Sequence, residues 1–227
     1  MNHPLMSSAS RAITVQTSRR EALAPRIDPV NALLQARDLV GADTLLRTLE
    51  AETPDDVSVR HARAQWHFHR QQWSQAEALW EVLRRQRPDD PAIVHGYAAT
   101  LLRQRRNPEA RAALQAVVQR WPDFLPGRLN LASLLRQAFR RPADALAVLE
   151  PALARHGHVA MLHFNMARAR QDLLDTEGTL TGYQRALDLD PQHIKAFTAY
   201  PFCCHYLPSP DLAELRLHLA AVGLLSQ

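Results

Sequence analysis

Apolar residues recur at helical spacing through most of this chain, and the pattern breaks at regular points. It is clearest from Val159 to His193, where Leu162, Asn165, Met166, Ala169 and Leu173 fall on one helical stripe. After a short turn, Leu180, Tyr183, Ala186 and Leu187 form a second stripe. Pro191 then stops that helix, because proline offers no N–H and its ring clashes with the preceding turn. The stretch predicts two antiparallel helices and a terminator.

The same unit recurs along the sequence. Its terminators Pro54, Pro88, Pro122, Gly157 and Pro191 are spaced 34, 34, 35 and 34 residues apart. Ten residues after four of them come Ala64, Ala98, Ala132 and Ala167. Twelve residues before each comes a small residue: Ala42, Ala76, Ala110, Ala145 or Thr179. Small side chains there let the two helices of a unit approach closely. Eight residues before each comes a large one: Leu46, Trp80, Leu114, Leu149 or Tyr183. Two registers agree over five units and a third over four. In this joint periodicity the chain resembles the tetratricopeptide-repeat family, whose period is 34 residues. That resemblance implies an all-α fold, a right-handed superhelical solenoid of antiparallel helix pairs.

Local signals then place the boundaries. Residues 1–27 are rich in Ser and Arg, with little apolar clustering, and are read as a disordered tail. Asp28-Pro29 predicts the first helix start, and Gly41 its close. Asp89-Asp90-Pro91 and Asn107-Pro108-Glu109 predict two further starts. The extra residue between Pro122 and Gly157 is assigned to the turn Ala138–Pro142. Gly178 and Gly182 fall inside a predicted helix and mark it as soft, each costing about 1 kcal/mol relative to alanine. Pro201 is expected to interrupt the last repeat's first helix. The solenoid thus spans residues 28–208, about five hairpins. Ser209-Pro210-Asp211 opens a C-terminal capping helix over 209–227, striped by Leu212, Leu215, Leu219 and Val222.

Composition changes this picture little. The net charge is +4, yet Lys195 is the only lysine. Dominance of Arg and Ala reads as a GC-rich, bacterial coding bias, so basicity is weak evidence for nucleic acid. The two cysteines, Cys203 and Cys204, are adjacent and suggest no disulfide scaffold. No apolar run reaches the roughly 18 residues of a membrane helix. The expected setting is cytoplasmic. Gly-rich phosphate loops, Gly-x-Ser-x-Gly elbows and zinc-protease patterns are lacking, so no catalysis, cofactor or metal is assigned.

From Leu162 onward the chain resembles bacterial proteins similar to O-linked N-acetylglucosamine transferase and SPINDLY. Phe202, Cys203, His205, Tyr206, Ser209, Pro210 and Asp211 match their connector into a glycosyltransferase domain. That domain would begin near Gln227, so no catalytic residue carries over. The resemblance implies association with a glycosyltransferase, either as its substrate-recognition portion or beside a separate catalytic chain.

The candidate site follows from position. Asn130 and Asn165 each lie eight residues after a terminator, where Ala62 and Gly96 stand in other units. In the glycosyltransferase relatives, asparagines there line the inner groove and hold a substrate's backbone. A carboxamide donates and accepts together, so it can pair with any peptide unit. His61, Gln65, His95, Ser133 and Arg168 fall one residue before or three after that position and are expected on the same concave side. The expected partner is a protein or peptide. Nine arginines in residues 103–141 stand against Glu109 and Asp123, a local +7, which reads as a solvated outer face or a binder of an acidic partner.

Overall fold

The computed structural model describes residues 26–204, with side chains through Tyr200. The expected capping helix, most of the expected tail and the connector from His205 onward lie outside the described residues.

Every regular element among the described residues is a helix. The first, α1, covers 26–35. It is followed by α2 (Leu39–Glu52), α3 (Val57–His69), α4 (Trp73–Gln86), α5 (Pro91–Arg103) and α6 (Asn107–Arg120). Then come α7 (Leu125–Gln137), α8 (Pro142–Leu149), the short α9 (Leu153–His156), α10 (Ala160–Asp172), α11 (Thr176–Leu189) and α12 (Ile194–Cys204). The odd-numbered helices α1 to α7, with α10 and α12, open the repeats and are called A helices. The others close them.

Sequence signals account for most helix ends. Asp38, Asp56, Asp90 and Asp175 cap α2, α3, α5 and α11, accepting from the N–H of Gly41, Ser58, Ala92 and Gly178. Pro91, Pro108, Pro126 and Pro142 sit in first turns, where a missing N–H has no intrahelical partner to lose. The terminal prolines Pro54, Pro88, Pro122 and Pro191 fall just beyond α2, α4, α6 and α11. The connection from α7 to α8, residues 138–141, is one residue longer than that from α3 to α4, residues 70–72, and takes up the longer spacing.

Three expectations are corrected. The first helix already includes Arg26 and Ile27, and ends at residue 35 rather than at Gly41. Gly41 instead lies in the first turn of α2, its N–H 2.9 Å from Asp38 Oδ1. Lastly, α12 continues through Pro201 to Cys204. A proline inside a helix removes one N–H bond, but it need not end the helix when the turns on either side persist.

The period also appears in the backbone, at a place composition does not reveal. Arg37, Gln71, Arg105, Arg140 and Leu174 lie in the turn after an A helix, with φ between 54° and 62°. Left-handed backbone costs an L-residue roughly 1–2 kcal/mol, and glycine escapes that cost. Leu174 is 89% exposed and has little packing to lose. Leu174→Gly is therefore expected to stabilise the protein by about 0.5–1 kcal/mol. A lower midpoint in thermal denaturation would contradict this.

The described residues form two compact units, one ending at Arg105 and the other beginning at Arg106. In the first, Val30, Leu34, Ala42, Leu46, Leu49, Val59, Ala62 and Trp66 form one buried cluster. Arg63 of α3 bonds Glu50 twice, at 2.6 and 2.7 Å, and also Asp43, tying α3 to α2. That guanidinium holds the Asp43 carboxyl below the usual carboxylate range. Trp80 of α4 is almost wholly buried, and its indole fills the space in front of Gly96 of α5. A Cβ on Gly96 would lie 2.7 Å from Trp80 Cζ2.

In the second unit, Phe164, Ala167, Tyr183, Ala186, Leu187 and Ala196 pack α10, α11 and α12 together. Gly182 belongs to this contact, since its Cβ would lie 2.9 Å from Ala167 Cβ. It therefore permits close helix approach, which a propensity argument does not detect. The helix after α7 is broken at Pro151, where residues 150–152 form a 3-10 turn. Buried Arg128 of α7 reaches this break, donating to the carbonyl of Val148 at 2.6 Å. It also donates to the carbonyl of Pro122 at 2.7 Å. His163, likewise six residues after its terminator, contacts the Gly157 carbonyl through Nε2 at 2.8 Å.

Candidate functional site

In the second unit the A helices α7, α10 and α12 bring several candidates together. Asn165 Oδ1 accepts from the Ser133 hydroxyl at 3.1 Å, joining α10 to α7. Its Nδ2 donates to the Met161 carbonyl of its own helix at 2.8 Å. A carboxamide offers two donors and two acceptor sites, so these two bonds use half its capacity. Asn130 is half-buried at the same repeat position of α7 and makes interactions of its own. Arg136 and Asp172 bridge α7 and α10 at 3.0 Å.

A cleft of about 350 Å³ opens between α10 and α12, lined by Phe164, Arg168, Gln171, Lys195, Thr198 and Ala199. Arg168 is half-buried, and its Nε has no hydrogen-bond partner among the described residues. Gln171 Oε1 accepts from the Tyr183 hydroxyl at 2.9 Å, which turns the oxygen end of that amide toward α11. Of these residues, sequence reasoning singles out only Arg168. Extending its stripe by one turn each way, to Phe164 and Gln171, would find the wall of the cleft. Lys195 and Thr198 require knowing which helix lies opposite.

The first unit places its candidates differently. His61 packs edge-on against Trp80 of α4, with ring centroids 5.1 Å apart. Its burial lowers the imidazole pKa below the ordinary value, against a weaker opposite pull from Asp90. Phe164 packs on Tyr183 at the same repeat position, with centroids 5.8 Å apart. His61 is thus part of the contact between paired helices. Gln65 and His95 are half-buried on α3 and α5. The Arg103 guanidinium lies 5.8 Å from the Phe68 ring, joining α5 to α3.

The arginine-rich stretch resolves into separate structural roles. Arg106 and Arg141 pair with Glu109 and Asp144 in their own first turns. Arg111 and Arg120 lie over Phe139 and Trp121, at 5.1 and 5.0 Å. Arg128 is buried against carbonyls, Arg136 holds Asp172, and Arg105 and Arg140 occupy left-handed turns. A charge count thus mixes arginines that are buried or ion-paired with arginines that are exposed. No cluster of His, Cys, Asp and Glu suited to a metal ion occurs among the described residues. Nor is any described helix long and apolar enough to cross a membrane.

Neither a protein-family model nor a curated protein sequence matches the chain. Solved structures do. Pseudomonas aeruginosa PilF aligns with a TM-score of 0.71 and 19% identity, covering 91% of both chains. TTC0263, a tetratricopeptide-repeat protein of Thermus thermophilus, aligns at 0.69 and 16%, covering 79% of this chain and 97% of its own. YrrB, described as such a protein with an unusual peptide-binding site, aligns at 0.54 and 16%, covering 85% and 97%. At these identities the likeness is one of fold: consecutive helix pairs of the tetratricopeptide-repeat kind.

Proposed function

We propose that this helical-repeat protein is an interaction module that binds a peptide segment of a partner protein along its A helices. Binding rather than catalysis is the proposed role. The observation that carries it is the Ser133–Asn165 pair beside the cleft of α10 and α12. There a carboxamide with unspent donor and acceptor capacity lies one helical turn from Arg168, which lines an open, partly apolar space. The peptide-binding site described for YrrB, a protein of this fold, supports the reading. Asn130, Asn165, Ser133 and Arg168 are the proposed contacts in the second unit, and Gln65 and His95 in the first, where His61 packs against Trp80 instead.

The test uses an array of random decapeptides blocked at both ends, probed with the whole chain. Asn130→Ala combined with Asn165→Ala is expected to weaken captured peptides about tenfold, the worth of roughly 1.4 kcal/mol. Ser133→Ala serves as the control, since it breaks the Ser133–Asn165 bond but leaves the carboxamide in place. If the paired variant binds as tightly as the parent while retaining its helicity, the asparagines are structural only.

A second reading is favoured by the resemblance of Phe202–Asp211 to a glycosyltransferase connector. In it, the chain recognises substrates for sugar transfer. Sugar transfer by a complex isolated with this chain would support it, and a partner free of any such activity would remove it.

A further inference from the structure

The cleft between α10 and α12 has a chemistry of its own, which deepens the peptide-binding reading and rests on it. Two cations face it, Arg168 from α10 and Lys195 from α12. Neither forms an ion pair among the described residues. Nearby carboxylates are already engaged: Asp172 by Arg136 at 3.0 Å, and Asp175 by Arg170 at 3.8 Å. No carboxylate among the described residues lines the cleft. Among the described residues the charge of Arg168 and Lys195 therefore stands uncompensated there.

The rest of the lining narrows the ligand. Phe164 adds an aromatic wall, and its ring is held by Tyr183 and by His193, whose centroid is 5.0 Å away. His193 is itself fixed, because its Nδ1 accepts the Ala196 N–H at 3.1 Å and caps α12. A space of about 350 Å³ is at the small end for ligand sites and suits one or two side chains. Two cations are too few to track a nucleic-acid backbone, which needs a run of them. Asn165 lies one helical turn before Arg168, and its remaining amide capacity suits a peptide unit that continues beyond the cleft.

The geometry points to an acidic side chain, an internal Asp or Glu of the partner polypeptide, as the occupant of this cleft. Its carboxylate bridges Arg168 and Lys195, and an adjacent apolar side chain of the partner lies on Phe164. A carboxylate meets both cations through charge-assisted hydrogen bonds, which neutral acceptors match poorly.

The blocked decapeptide array tests this directly, because neither end of such a peptide carries a carboxylate. Captured sequences are expected to be enriched in Asp or Glu next to an apolar residue. Lys195→Gln, at an exposed position where folding is not at stake, is expected to weaken them about fivefold, and Arg168→Gln at least about tenfold. Lys195→Glu is expected to reverse the preference toward peptides with Lys or Arg at that place. Peptides captured without acidic enrichment, or equally well by Lys195→Gln and Lys195→Glu, would overturn the carboxylate assignment and leave the peptide-binding reading standing. Binding seen only with a companion set ending in a free carboxylate would overturn it too, in favour of chain termini. No capture of any peptide above background would sink both readings.

Discussion

Gly96→Asn is expected to destabilise the protein by about 3 kcal/mol, although asparagine occupies the same repeat position at 130 and 165. The reason is Trp80. A Cβ on Gly96 would meet Cζ2, Cε2 and Cη2 of that indole at 2.7, 2.9 and 2.9 Å. The ring is rigid and nearly fully buried, so it has little room to yield. At positions 114 and 149, where the repeat carries Leu, an asparagine follows in the next A helix. Thermal denaturation should show a midpoint lower by about 6–12 °C for a chain of this length. Trp80→Leu alone should also cost about 2 kcal/mol, from lost packing. The two changes together should cost less than their sum by about 2 kcal/mol, because the smaller side chain vacates the space the asparagine needs. Strict additivity would show that Trp80 is not what requires glycine. The double variant also puts a third asparagine at this repeat position, so its peptide capture can be compared directly with that of the parent.

Arg128→Met should destabilise by about 3 kcal/mol, far more than any other neutralisation in the arginine-rich stretch. Methionine preserves much of the volume but leaves two carbonyls, Pro122 and Val148, without the donors they now have at 2.7 and 2.6 Å. The second of these stands just ahead of the break at Pro151. Arg140→Gly should do the opposite and raise stability by about 0.5–1 kcal/mol, since Arg140 is exposed in a left-handed turn with φ 54°. Chemical denaturation of the two variants side by side checks both signs. Equal, small effects would mean that Arg128 is no more than a solvated charge.

These two arginines show where sequence reading stops. Arg128 and Arg140 look alike in a charge count, and only their neighbours in space separate them. Spacing places His61 and Asn165 in one groove, yet His61 packs on Trp80 while Asn165 bonds across to Ser133. The wall of the cleft at Phe164 and Gln171 is within reach of the stripe through Arg168. The opposite wall, Lys195 and Thr198, is not.

What the sequence by itself determined was the architecture. Helix starts, helix stops and the period of about 34 residues arise from interactions within a few residues of each other. Those interactions are written into Asp caps, prolines and stripes. The alanines Ala42, Ala76, Ala110 and Ala145 and the large partners Leu46, Trp80, Leu114, Leu149 and Tyr183 are all buried where the period puts them. What tertiary structure decided was the filling of each gap. Gly96 answers to an indole of the preceding helix, Gly182 to Ala167, and Arg128 to a carbonyl 20 residues away. Packing is a contest for volume among side chains distant in sequence, and a repeat period averages over just those differences.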